Sequence, residues 1–256
     1  MTPLPKLRRT RFLGVPFDIG ELDEYVSFVA SWSPKSPFGY VATPNVDHVI
    51  RINESPVKYA SLYDHATLSI NDSRILRLCS RLRGKTLPVF SGIDLVAAIF
   101  DRVIQAGDVI TVIGADSLVV RRIRQRFPHV KVWHHIPPMG FIRDPAEVDA
   151  AAEFVAAHKA RFVFLAIGSP QQEILASRIM AMGSAVGLGL CIGAALLFLT
   201  GAERRAPLWL RRLNLEWAFR LYKDPKRLWR RYLVRGPLII RLLVIDMLGR
   251  GKERGF

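Results

Sequence analysis

Six short β-branched or aromatic runs, each ending in glycine or polar residues and each followed by helical periodicity, restrict this chain to very few folds. They are Tyr40-Val41-Ala42 before Thr43-Pro44-Asn45, Leu68-Ser69-Ile70 before Asn71-Asp72-Ser73, and Pro88-Val89-Phe90 before Ser91-Gly92. Further along come Val109–Ile113 before Gly114-Ala115-Asp116-Ser117, Val130–Trp133 before the 136–143 loop, and Phe162–Ile167 before Gly168-Ser169-Pro170. Strand-sized runs alternating with helix-sized stretches predict an α/β fold, a mostly parallel sheet with helices on both faces. Such sheets bind ligands beyond the carboxyl ends of their strands. The polar and glycine punctuation falls at those ends, so Thr43, Asn45, Asp72, Gly92, Asp116 and Gln172 are expected around one pocket. No internal repeat or low-complexity linker interrupts the pattern.

One window competes with this reading. Ile179 to Ala202 carries no charged residue, is long enough to cross a bilayer, and is followed by Arg204-Arg205. Gly183, Gly187, Gly189, Gly193 and Gly201 cut it into a turn, a β-rich piece over Ala185–Ile192 and a short segment over Ala194–Thr200. A buried central strand followed by a turn is therefore expected. The 256 residues, 50% hydrophobic and 23% charged, suffice for one α/β core plus an appendage. Cys79 and Cys191 each sit in an apolar stretch, so buried free thiols and a reducing compartment are expected. Lys6, Arg8, Arg9 and Arg11 precede no apolar run before Asp18, which is not the pattern of a secretory signal. A cytoplasmic location is expected.

The composition breaks at Gly201–Pro207. From Glu203 to Phe256 there are 15 Lys and Arg against 5 Asp and Glu, a net of +10 out of the chain's formal +15. Residues 1–205 are thus expected to form the α/β domain and 206–256 a basic, helical, amphipathic appendage. Its arginines interleave with aromatics, which suits a surface meeting phosphate groups at one side and apolar chains at the other. Leu238–Leu248, interrupted by Arg241 and Asp246, is expected to lie on a membrane rather than cross it. Asp224-Pro225 reads as a helix start, which sets Arg227 and Arg230 three apart on one face, with Arg220 in the last turn of the helix before. Three guanidiniums so placed can converge on one diphosphate.

Candidate chemistry lies at the strand ends. Gly114-Ala115-Asp116-Ser117 resembles a phosphate-binding turn without being a complete nucleotide fingerprint. Gln172 and Glu173, just after Gly168-Ser169-Pro170-Gln171, are side chains suited to gripping sugar hydroxyls, or to the polar first turn of a capped helix. Asp72 is a candidate general base or, equally, the N-cap of the next helix. His134 and His135 are adjacent, and no Cys/His cluster or Asp-x-Asp pair occurs, so no metal site is expected.

Thr43-Pro44-Asn45, Ile70-Asn71-Asp72-Ser73, Gly168 to Glu173, Gly201 to Pro207, Glu216-Trp217 with Arg220-Leu221, and Pro225 to Tyr232 together resemble the WecG/TagA/CpsF family of bacterial glycosyltransferases (glycosyltransferase family 26). The resemblance runs from about Leu13 to about Tyr232. It implies a Rossmann-like catalytic domain, a UDP-sugar donor, a polyprenyl-diphosphate-linked sugar as acceptor, inversion at the anomeric carbon, and no required metal or other cofactor. It also implies an appendage that docks on an anionic membrane surface, making the protein peripheral on the inner face of the cell membrane. On that footing Asp72 is the base. Thr43, Asn45, Gly92, Gly114, Asp116, Gln172 and Glu173 face the donor, and Arg220, Arg227 and Arg230 take the acceptor diphosphate. The family usually has glycine where this chain has Ser73, which puts the turn beside Asp72 in question. A nucleic-acid-binding protein would account for the charge but leaves the pocket residues idle, so no nucleic-acid partner is expected. A non-enzymatic membrane scaffold with a degenerate nucleotide fold is the other alternative, and Ser73 is the feature that favours it. Whether copies form a homo-oligomer stays open.

Overall fold

A computed structural model describes residues 7–213 and 215–252. Lys6 and the end of the basic segment, residues 253–256, lie outside the described residues. The chain opens with β1 (Arg8–Phe12) and β2 (Val15–Ile19), followed by α1 (Leu22–Ala30), β3 (Gly39–Ala42), α2 (Val46–Glu54), α3 (Pro56–Asp64) and β4 (Leu68–Ser69). Next come α4 (Arg74–Arg81), α5 (Gly92–Arg102), β5 (Val109–Gly114), α6 (Ser117–Arg126), β6 (Lys131–His135) and α7 (Pro145–Ala157). The body closes with β7 (Phe162–Ala166), α8 (Gln171–Met182), β8 (Leu188–Cys191) and α9 (Ala195–Leu199). After it follow α10 (Leu208–Arg212), α11 (Glu216–Lys223), α12 (Pro225–Trp229), a π-helical stretch over Arg230–Arg235, and α13 (Leu238–Lys252).

Six strands form one sheet in the order β4-β3-β8-β7-β5-β6, and every pair in it is parallel. Side chains alternate across it as the pleat requires. Tyr40, Ala42, Ile113, Val163 and Leu165 point to the face covered by α2, α3, α7 and α8. Val41, Ile110, Val112, Phe162, Phe164 and Leu190 point to the face covered by α1, α5, α6 and α9. The runs read as apolar on both sides because both sides are buried. Connections stepping one way along the sheet, such as β5-α6-β6, use one face, and those stepping the other way, such as β7-α8-β8, use the opposite face, as a single crossover hand demands.

The uncharged 179–202 window resolves as expected. Gly183 ends α8 at φ +70°, a left-handed cap that glycine adopts without strain. β8 then runs fully buried between β3 and β7. Among the described residues no helix is long and apolar enough to cross a membrane. Cys79 and Cys191 are buried and free.

Two features depart from the sequence reading. Pro88-Val89-Phe90 is not a strand. Pro88 has no N–H to give a ladder, and among the described residues the segment is tied to the turn after β4 by Phe90 N–H to Asn71 O at 3.1 Å and Asn71 Nδ2 to Pro88 O at 3.2 Å. Conversely, β1 and β2 form an antiparallel hairpin that the charged Arg8-Arg9-Thr10-Arg11 run did not announce. Its two-residue loop places Leu13 and Gly14 at φ +48° and +78°, and Arg9 pairs with the buried Asp18 at 2.8 Å.

The C-terminal helices lie against the body. α13 buries Ile239 and Leu243 in the same core as α2, and Arg83 Nε meets Asp246 Oδ2 at 2.9 Å.

Candidate active site

Asp72 stands where the chain leaves β4. Its N–H donates to Pro44 O at 3.1 Å, which pins this turn against the loop after β3. Its neighbours do the capping. Ser73 N–H donates to Asn71 Oδ1 at 3.0 Å, and Ser73 Oγ accepts from Leu76 N–H at 3.2 Å, so Ser73 is the N-cap of α4. Ser73 holds φ at −146°, so the turn has no need of glycine. Asp72 is left uncommitted: among the described residues no hydrogen bond reaches its carboxylate.

That carboxylate lines a cavity of about 420 Å³ between the strand ends and the C-terminal helices. Asn45, Arg205, Glu216, Arg220 and Arg231 contribute to its polar wall. Ile75 and Cys79 of α4 and Pro237, Ile239 and Ile240 of the C-terminal segment contribute an apolar one. Loss of hydration there pushes the Asp72 carboxyl up to about 7; Arg220 and Arg205 oppose the rise, and Glu216 and Asp94 add to it. A carboxyl so poised can accept a proton near neutral pH.

The arginines are held in a frame. Ser91, the N-cap of α5, and Asp94 in its first turn grip Arg205: Nη2 donates to Ser91 Oγ at 2.9 Å and to Asp94 Oδ2 at 3.1 Å, and Nη1 pairs with Asp94 Oδ1. Glu216 joins the two arginines, its Oε1 lying 3.7 Å from Arg205 Nε and 3.2 Å from Arg220 Nη2. Across the cavity, Arg231 Nη2 donates to Asn45 Oδ1 at 3.3 Å. Asn45 is itself the N-cap of α2 and accepts from Asp47 N–H at 3.0 Å. Asp47 draws three arginines, Arg51 at 2.6 Å, Arg235 at 3.7 Å and Arg231 at 4.0 Å, so positive charge exceeds negative at this end.

An uncommitted, raised carboxyl facing framed arginines at the carboxyl end of a parallel sheet fits group transfer from an anionic donor. The model of the Glycosyl transferase WecG/TagA/CpsF family matches residues 10–253. The chain belongs to this family. It is similar to an N-acetylglucosaminyldiphosphoundecaprenol N-acetyl-beta-D-mannosaminyltransferase of Bacillus spizizenii strain W23, 28% identical over 222 residues that cover 83% of this chain and 82% of the relative. Proteins of the same name from Staphylococcus aureus strains MW2 and NCTC 8325 are 26% identical over 232 residues, covering 85% of this chain and 86% of theirs. The chain is thus a glycosyltransferase.

Of the residues this glycosyltransferase was expected to use, Asp72, Asn45 and Arg220 meet at the cavity. Thr43, Gly92, Gly114, Asp116, Gln172 and Glu173 do not line it. Thr43 Oγ1 donates to Cys191 O at 3.1 Å, and Gly92 opens α5 beside it. Gly114 ends β5 at φ +79°, where a Cβ would collide with Ile167, and the exposed Asp116 caps α6 through Leu118 N–H at 2.7 Å. Gln172 is buried; its Oε1 accepts from Gly193 N–H at 2.9 Å and its Nε2 donates to Glu173 Oε1 at 2.8 Å. Glu173 is wholly buried, with His48 Nε2 at 3.6 Å. Arg227 points to solvent and pairs with Asp224 at 2.6 Å, and the exposed Arg230 stacks over Trp229 at 5.3 Å. Arg231, the next residue after Arg230, lines the cavity. Arg205 and Glu216 line it too; the three fall within Gly201–Pro207, Glu216-Trp217 and Pro225–Tyr232, but no local pattern singles them out. Among the described residues no group of three His, Cys, Asp or Glu is disposed to hold a metal ion.

Proposed function

We propose that this glycosyltransferase moves an N-acetylhexosaminyl or hexosyl unit from a UDP-sugar to a polyprenyl-diphosphate-linked sugar, with inversion and without a metal ion. The curated relatives, named for N-acetylmannosaminyl transfer to a diphosphoundecaprenol-linked N-acetylglucosamine, supply the pattern. The observation that carries the reading is Asp72, uncapped, pushed up to about 7, and sharing a cavity with Arg220 and Arg231.

The step is a single displacement. The acceptor hydroxyl oxygen attacks the anomeric carbon and gives its proton to Asp72, while the bond from that carbon to the UDP oxygen breaks and its electron pair leaves with UDP. Helix N-termini at the strand ends and the arginines offset the charge that builds on the leaving diphosphate. Thr43, Gly92, Gly114 and Asp116, on the adjoining strand ends, shape the donor side. Gln172 and Glu173 hold the loop at Gly193 and the His48 ring from below. Arg220 and Arg231 take the acceptor diphosphate inside the cavity, and Arg227 and Arg230, on the outer face, take phosphates of the bilayer. Residues 206–256 act as the appendage that completes the site of the 1–205 domain and seats it on the inner leaflet. The pathway is bacterial surface or extracellular polysaccharide synthesis.

The test is product mass spectrometry after incubation with a panel of UDP-sugars and a short-chain prenyl-diphosphate N-acetylglucosamine, with and without Asp72→Asn. A product of one added sugar, lost in the variant, is expected. Equal product from both proteins would remove Asp72 from the mechanism.

A further inference from the structure

Most of α4 takes no part in the chemistry above, yet its sequence is sharply two-sided. Leu76 and Cys79 turn inward, whereas Ile75, Leu78 and Leu82 are 38%, 46% and 70% exposed. Their spacing of three and four puts them in one row along the helix. Arg77 and Arg81 stand four apart beside that row, and the helix carries no acidic side chain. Arg77 Nε is buried without a hydrogen-bond partner. Burial and then the like charges of Arg81 and Arg74 hold Arg77 below the usual arginine range. With no acidic side chain on their helix, the guanidiniums of Arg77 and the exposed Arg81 suit an anionic surface.

The Arg83–Asp246 pair, at 2.9 Å, ties α13 to the turn that follows α4. α13 buries Ile239 and Leu243 and exposes Ile240, Val244 and Leu248. Ile75 and Ile240 both line the catalytic cavity and both reach solvent, so the cavity opens between the two apolar rows.

We infer that α4, an element of the α/β body, is a second docking surface that seats the mouth of the site on an anionic lipid bilayer. Leu78 and Leu82 enter the acyl boundary while Arg77 and Arg81 take lipid phosphates. The inference rests on the reading that the acceptor is membrane-borne, and it moves part of the docking out of the C-terminal segment. The charge argues for this occupant. A twofold contact with a second copy would set Arg77 and Arg81 against the same arginines, and a nucleic acid would leave the leucine row in water.

The test uses the full chain and vesicles of phosphatidylcholine, with or without phosphatidylglycerol. In flotation, Leu78→Ser with Leu82→Ser is expected to lower partition roughly tenfold or more from lost apolar burial. Arg81→Gln is expected to lower it roughly fivefold, on anionic vesicles alone. A nitrobenzoxadiazole probe on Leu82→Cys is expected to shift its emission to the blue when anionic vesicles are added. Wild-type partition of the double variant overturns the inference, as does probe emission that stays fixed. Should the double variant fail to fold, the probe decides. A lipid-free dimer that the double variant converts to monomer would assign this face to self-association instead and overturn the docking. Flotation and emission need no turnover, so they stand whether or not the transfer reaction is as proposed.

Discussion

Arg231 Nη2 donates to Asn45 Oδ1 at 3.3 Å, a contact that spans 186 residues of sequence and ties the C-terminal segment to the N-cap of α2. Asn45 cannot keep this bond unless the π-helical stretch stays docked, so the site is complete only with both parts of the chain in place.

Arg231 and Arg220 are therefore the arginines whose loss should matter most. Arg231→Gln or Arg220→Gln is expected to lower kcat/KM for the lipid acceptor by roughly 10–10²-fold, the range for one lost charge-assisted hydrogen bond. Donor binding should hardly change. Arg227→Gln and Arg230→Gln should act weakly on a short-chain acceptor free in solution, since Arg227 already pairs with Asp224 and both face outward. Acceptor kinetics for the four variants check the ranking, and equal losses across all four would refute it. Arg231→Lys should not restore the rate, because an ammonium cannot present the planar fork.

Asp72 makes the pH dependence specific. As the base it must be ionised, so kcat/KM should rise with pH and reach half its maximum near 7. Asp72→Asn should lower turnover by roughly 10²–10⁴-fold. Stability should move the opposite way. The folded-state value lies above the ordinary 3.8, so the neutral carboxyl favours the fold below that value and the advantage is lost as pH rises through about 7. Asp72→Asn, fixed in a neutral form, should then melt above wild type at about pH 8, with the gap closing below about pH 4. Parallel melting curves for the two proteins across that range would sink the account of Asp72 as a dehydrated carboxyl.

The sheet was legible because its strands are buried on both faces, which leaves Phe162–Ile167 apolar throughout and Val109–Ile113 apolar but for Thr111. Asp72 was legible as a strand-end carboxylate, but only the structure frees it from capping by giving that task to Ser73. The arginine that reaches the cavity beside Arg220 is not marked by local spacing. Arg227 and Arg230 do share one exposed face, as a spacing of three requires, but the chain then turns π-helical over Arg230–Arg235, with Gly236 N–H bonding Arg231 O at 2.9 Å, and it is Arg231 that turns toward Asn45. Gln172 and Glu173 look like sugar-binding residues because they are polar and follow a strand end. Their inward orientation depends on His48 and Gly193, far away in sequence, and no local pattern reveals it.

In the proposed transfer, Arg205 and the helix N-termini at the strand ends stand where a divalent cation would otherwise offset the charge of the leaving diphosphate. Turnover is expected to persist in EDTA at the untreated rate. Abolition by the chelator with recovery on adding Mg²⁺ or Mn²⁺ would show that these groups do not suffice.

Glu173 tests whether the buried polar layer beneath the site is structural. Burial alone would raise its carboxyl, but His48, whose Nε2 lies 3.6 Å away, together with Gln172 and Ser169 holds it below the ordinary 4.5. Through His48, whose Nδ1 lies 2.9 Å from Asn45 Oδ1, it also steadies the residue that Arg231 grips. Glu173→Ala would strand the Gln172 amide without its acceptor and take away the carboxylate beside the buried His48, at a cost of about 3–5 kcal/mol in stability. The sign with pH follows from the lowered value: the stabilisation is present above about 4.5 and fades as pH falls through the folded-state value. Urea denaturation at neutral and acidic pH measures both. If the residue instead contacted the donor, the variant would unfold at the wild-type midpoint and lose UDP-sugar affinity, and that pattern would move Glu173 from the scaffold into the binding site.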